Sequence, residues 1–156
     1  MLTQIDKHHE SPARGELPFS PPSIPDGAPE LYREFWRLWH EEKFFACHEV
    51  LEALWRVTPG AQRLFYNGLI HCAVAIYQHR RGNAVGAARQ LLRAQVKLQR
   101  FRPAYYEVDI DGLLASVECV VAPSVSALSA SQQAQLRELR RSLEERIERQ
   151  FPVENV

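Results

Sequence analysis

The chain has 156 residues, enough to bury one substantial core, and nothing in its length asks for a second domain. Nineteen basic residues balance nineteen acidic ones, so overall charge names no nucleic-acid, membrane or acidic partner. Charged and apolar fractions of 24% and 46% are those of an ordinary globular protein.

Six of the ten prolines fall at positions 12, 18, 21, 22, 25 and 29. Proline lacks an amide donor and restricts the residue before it, which predicts an extended arm over residues 1–28. Leu17, Phe19 and Ile24 give that arm something to bury. Asp26 and Pro29 supply a helix start, and Leu31, Phe35, Leu38 and Trp39 follow at helical spacing, so a first helix is expected over about 29–42. A second runs over about 45–57 and ends at Pro59-Gly60. The third, about 61–81, is apolar around most of its circumference, which belongs in the middle of a bundle, with Ile70, Ala73 and Tyr77 almost inaccessible. Gly82-Asn83 turns into a fourth helix reaching about Phe101, before Pro103. A fifth is expected over about 111–121, with Asp111 as a possible cap and a stop before Pro123. The last begins near Ser129, where Ser129 and Gln132 fit a capping box, and carries Leu136, Leu139, Leu143, Ile147 and Phe151 on one stripe. Such a stripe docks on the rest of the bundle or forms a dimer seam. No strand-like alternation of useful length is present. The expected fold is thus all-α: one bundle of about six helices over 29–151, with a central third helix and an N-terminal arm.

Cys47, Cys72 and Cys119 are odd in number and widely spaced, and read as buried reduced thiols of a cytoplasmic protein. The N-terminus has no apolar signal core, and the most apolar run, Leu113 to Ala122, is broken by Glu118; no membrane partner is expected.

Residues 44–101 carry FFACHEVLEALWR and FYNGLIHCAVAIYQHRRGNAVGAARQLLRAQVKL. The most specific parts are His48-Glu49-x-x-Glu52-x-x-Trp55 and the stretch from Gly68-Leu69-Ile70 to Arg81-Gly82-Asn83, with Gly86-Ala87 following. Together they resemble domain of unknown function 309, a bacterial and archaeal family. The resemblance implies an all-helical bundle and brings no reaction or ligand. The family usually has glutamine where this chain has His71. Tyr77, Gly82-Asn83, Ala87, Leu91 and Ala94 also resemble a single tetratricopeptide hairpin; one unit is not an array.

At 100 degrees per residue, His48, Glu52 and Trp55 lie within about 60 degrees of one another, while Glu49 points elsewhere. The spacing is not the metalloprotease HExxH, which needs a second histidine four residues on. Three readings stay open. The group is a structural polar network in which His48 donates to an oxygen of the bundle and Glu52 is ionised; or His48, Glu52 and His71 hold a divalent metal; or His48 and Glu52 form a metal-free acid/base site. The first is the leading one, so no cofactor is predicted.

Between Glu52 and Glu107 the chain has no acidic residue, while Arg56, Arg63, Arg80, Arg81, Arg89, Arg93, Lys97, Arg100 and Arg102 are basic. Arg89, Arg93, Lys97 and Arg100 fall on one helical arc of about 80 degrees, predicting a solvent-facing basic stripe. It either pairs with acidic faces of the first or last helix (Glu138, Glu144, Glu145, Glu148) or of another copy, or it binds an anionic ligand or nucleic acid. No glycine-rich phosphate loop or GxSxG elbow is present. The sequence thus points first to a helical scaffold or interaction protein, self-associating and not an enzyme. A hydrolytic or metal-dependent site and an anion binder are the rivals.

Overall fold

A computed structural model describes residues 19–152. Residues 1–18 and 153–156 lie outside it, so the expected arm is described only from Phe19 onward. Among the described residues six α-helices follow in chain order: α1 Glu30–His40, α2 Phe44–Arg56, α3 Gly60–Arg80, α4 Ala84–Leu98, α5 Ile110–Ser126 and α6 Ala130–Gln150. A single 3-10 turn, Gln99–Phe101, extends α4. The all-α class is therefore shown.

Local chemistry explains most of the boundaries. Gly60, at φ 69, opens α3 after Pro59, and Gly82, at φ 80, closes it. The Asn83 side chain accepts from the Gly86 amide at 3.0 Å and caps α4. The capping box of α6 forms as expected: Ser129 Oγ accepts from the Gln132 amide, and Gln132 Oε1 accepts from the Ser129 amide at 2.8 Å. At α5 the expectation is corrected. The cap is Asp109, accepting from the Gly112 amide, and the helix runs through Pro123 to Ser126. Proline removes the bond to the Cys119 carbonyl, but Cys119 and Pro123 are both exposed, so the helix loses that bond on its solvent side. Cys119 is accordingly not the buried thiol expected; Cys47 and Cys72 are buried, and burial raises the pKa of both thiols.

Helix α3 packs against α2, α4 and α5, and α4 packs against α3, α5 and α6, so the α3–α4 hairpin is the spine of the bundle. Ile70 and Ala73 are buried as expected. Tyr77 is only half-buried, because its ring leans outward against Phe45 and carries Arg81 on its face. On α6, Leu143 and Ile147 are buried and Leu136, Leu139 and Phe151 pack against the core, so the stripe docks on its own chain.

One element went unexpected. Ala104–Tyr105 and Val108–Asp109 form a two-residue antiparallel pair. Its turn residues, Tyr106 and Glu107, hold φ of 53° and 62° without being glycine. The Tyr106 ring packs on Tyr32 and Phe65, at centroid distances of 5.1 and 5.8 Å, and this aromatic burial holds the turn.

The close approach of α3 and α4 depends on Gly68. A methyl group there would lie 2.4 Å from Leu98 Cγ and Cδ2, and Leu98 is fully buried. Gly68→Ala gains about 1 kcal/mol of helix propensity, but overpacking a buried leucine costs about 1–3 kcal/mol. A net loss of stability is expected in urea denaturation; a stabilised variant would refute the close-packing role.

Candidate anion-binding site

The His48 motif does not gather as a pocket. On α2, His48 is half-buried, and its Nδ1 donates to the Phe45 carbonyl of its own helix at 2.6 Å. Glu52 accepts from Arg56 at 2.9 Å, one turn on, and Glu49 is exposed. Trp55 alone of the group reaches α3, through the Arg63 guanidinium 4.2 Å from its ring centre.

His71 faces the other way, toward α4. Its Nε2 lies 2.9 Å from Lys97 Nζ, and its Nδ1 lies 2.6 Å from Gln90 Oε1. An ammonium only donates, so Nε2 is the acceptor and the ring proton sits on Nδ1, donating to Gln90. Burial, with Lys97 and Arg93 nearby, lowers the His71 pKa to about 3 and keeps the ring neutral. The proposed trio of His48, Glu52 and His71 is thus not assembled: both His71 nitrogens are engaged, one with a cation that repels a metal ion. Among the described residues no three His, Cys, Asp or Glu side chains stand close enough together to hold a metal.

The basic stripe also needs correction. Arg89 and Arg100 are exposed as expected, but Arg93 and Lys97 are half-buried. Lys97 turns inward, donating to Asn67 Oδ1 as well as to His71. None of the four finds a carboxylate among the described residues. On α6, Glu138 and Glu145 pair with Arg141 of their own helix, while Glu144 and Glu148 border a recess beside Arg100 without forming an ion pair among the described residues. The expected internal pairing does not form.

Instead, α6 brings another cation. A cavity of about 180 Å3 between the α3–α4 hairpin and α6 is lined by Arg63, Asn67, Lys97 and Arg146, with Trp55 and Phe151 among its apolar walls. Among the described residues its lining holds three cations and no carboxylate. Burial, then the charges of Arg93 and Arg146, lowers the Lys97 pKa to about 8, and burial with Arg89 and Arg146 lowers that of Arg93. Arg146 was the member missed in the sequence. At 100 degrees per residue it flanks the docking stripe on the Leu139 side of Leu143, and that was the available signal.

The family match falls on most of α1, on α2 and α3, and on the start of α4. Residues 32–90 match the family described as domain of unknown function, DUF309. The chain is 33% identical over 105 residues to "Uncharacterized protein YpuF" of Bacillus subtilis (strain 168), covering 65% of this chain and 60% of that protein. It is 25% identical over 93 residues to an "Uncharacterized protein" of Aquifex aeolicus (strain VF5), covering 59% of this chain and 28% of the relative. The chain therefore spans less than two thirds of the length of either relative. No solved structure matches it. The DUF309 match takes in the His48 motif and His71 but ends at Gln90, so Arg93, Lys97 and Arg146 lie beyond it.

The placement of His48 sets the outcome of its removal. The Phe45 carbonyl keeps its helical partner and the ring is not sealed in the core. His48→Ala is expected to cost about 0.5 kcal/mol, as at ordinary surface positions. Thermal melting checks this, and a loss above about 2 kcal/mol would restore the structural network at that position.

Proposed function

We propose that this protein binds a small phosphate-type anion in the cavity between α3, α4 and α6. The observation that carries the reading is the half-buried Lys97, surrounded by Arg63, Arg93 and Arg146 with no carboxylate among the described residues to compensate them. Holding like charges together away from water costs stability, and an anion bound among them recovers it. Arginine forks on the exposed rim suit phosphate oxygens, and the lysine below supplies a point charge. The cavity is smaller than the roughly 300–1,000 Å3 of ordinary cofactor sites, which favours a small ion over a nucleotide. Because the cations converge on a recess, a small ligand fits better than an extended nucleic acid.

Titration of inorganic phosphate against thermal melting tests this, with chloride at matched ionic strength as control. At about 100 times its dissociation constant, phosphate adds roughly 2.7 kcal/mol of stability. That corresponds to a rise of about 5–10 °C for a chain of this size. Equal melting in phosphate and chloride would overturn the proposal.

A second reading, a scaffold or self-associating interaction protein, is favoured by Phe45. Its ring is 48% exposed and meets His48 edge-on and Tyr77 at a tilt in an aromatic patch on the α2–α3 face. Sedimentation of the wild type and of Phe45→Glu tests it; identical monomeric profiles would remove the self-association.

A further inference from the structure

The cation at the base of the cavity is a lysine in a chain that otherwise uses arginine. The sequence contains three lysines and sixteen arginines, and the other two cations lining the cavity are arginines. Guanidinium stays protonated under all ordinary conditions, so Lys97 alone among these cations can become a neutral nucleophile.

The hydrogen bonds around it fit the neutral form. A free amine has two N–H bonds and one lone pair at tetrahedral positions. Asn67 Oδ1 and the Nε2 of His71 are two acceptors, and the Gln90 bond to Nδ1 fixes the His71 tautomer that keeps Nε2 an acceptor. With both protons so directed, the lone pair is left unengaged. Among the described residues the groups facing Lys97 are Asn67, His71 and Arg63 from α3, Arg93 from its own helix and Arg146 from α6, with no acid among them to hold the ammonium form.

We propose that Lys97 forms an imine with a small phosphorylated aldehyde or ketone whose phosphoryl group is held by Arg63 and Arg146; this rests on the anion-binding reading of the same cavity. The Lys97 nitrogen adds to the carbonyl carbon, the carbonyl π electrons move to oxygen, and a proton passes from nitrogen to that oxygen to give a carbinolamine. The hydroxyl then leaves with a second proton as water while the nitrogen lone pair forms the C=N bond. No electron transfer is involved. The cavity corresponds to roughly six water molecules at about 30 Å3 each, which suits a two- or three-carbon phosphate.

The test incubates the intact protein near neutral pH with glycolaldehyde phosphate and cyanoborohydride, which delivers hydride to the imine carbon and fixes it as a secondary amine. Peptide mapping then compares Lys97 with Lys7 and Lys43. A lysine titrating near 8 rather than 10.5 holds on the order of 100-fold more free amine at neutral pH, so Lys97 is expected to label on the order of tenfold faster or more. Inorganic phosphate should lower that preference to what the free-amine fraction alone sets, which is also the level expected with glycolaldehyde lacking the phosphate. Lys97→Arg should still gain thermal stability from phosphate but form no adduct at position 97. Arg146→Gln, which leaves the lysine in place, should lose both phosphate binding and the phosphate-sensitive part of the labelling. Equal labelling of the three lysines, or a preference for Lys97 that phosphate leaves unchanged, overturns the imine. If phosphate still raises the melting temperature in that case, the imine fails and the anion site stands. If phosphate has no effect on melting or on labelling, both fail.

Discussion

Replacing Lys97 by methionine is expected to raise the melting temperature of the ligand-free protein while abolishing its response to phosphate. The ammonium is half-buried, and Arg93 and Arg146 oppose it, so its charged form is disfavoured in the folded state. A fall from 10.5 to about 8, at about 1.4 kcal/mol per unit, puts the penalty on the order of 3 kcal/mol. Loss of the bonds to Asn67 and His71 offsets roughly half of that. A net gain of about 1–2 kcal/mol remains, or a few degrees for a chain of this length. The pH dependence identifies the cause. Lys97 binds fewer protons folded than unfolded between about 8 and 10.5, so wild-type stability rises with pH across that window. The penalty is fully present below about 8 and gone above 10.5, so the gap between variant and wild type should narrow as pH climbs through it. His71 adds a separate acid limb. Its pKa is lowered to about 3 from 6.5, so the folded protein loses stability as pH falls through that interval. A Lys97→Met protein that melts below the wild type, with a gap indifferent to alkaline pH, would show that the lysine is compensated and that the cavity has no excess of charge.

Truncating Phe65 to alanine should be strongly destabilising, at about 3–5 kcal/mol. Phe65 is fully buried on α3. Its ring contacts Tyr32 of α1, Phe101 of the 3-10 turn, and Tyr105 and Tyr106 of the hairpin, with centroid distances from 4.9 to 6.4 Å. Deletion leaves a cavity that three elements border and none can fill, because Tyr106 is tied to the positive φ of its turn. Urea denaturation measures the loss, and the near-ultraviolet dichroism of these tyrosines should weaken as the hairpin loosens. A cost below about 2 kcal/mol would show that the aromatic cluster collapses onto the gap.

The helices were legible because each carries its own periodicity and its own stop signals. The wide apolar arc of residues 61–81 placed α3 inside, and Ser129 with Gln132 marked the start of α6; both follow from chemistry within a few residues of chain. Local rules failed where a distant partner decided the outcome. Tyr106 and Glu107 hold left-handed backbone because aromatic rings from α1 and α3 bury the turn, and no turn signature in residues 104–109 announces it. Pro123 stays within α5 because its side of the helix faces water.

The site divides in the same way. The sequence by itself determined that Arg89, Arg93, Lys97 and Arg100 share one face of a helix, and that His48, Glu52 and Trp55 share another, since angular spacing on a helix is a local property. Only the tertiary structure decided that His71 turns from the His48 motif toward Lys97, and that α6 delivers Arg146 to the cavity beside Lys97. Which charge meets which across a bundle depends on the rotation and register of helices docked far apart in sequence, and these are set by the packing of Leu143 and Ile147 against the core.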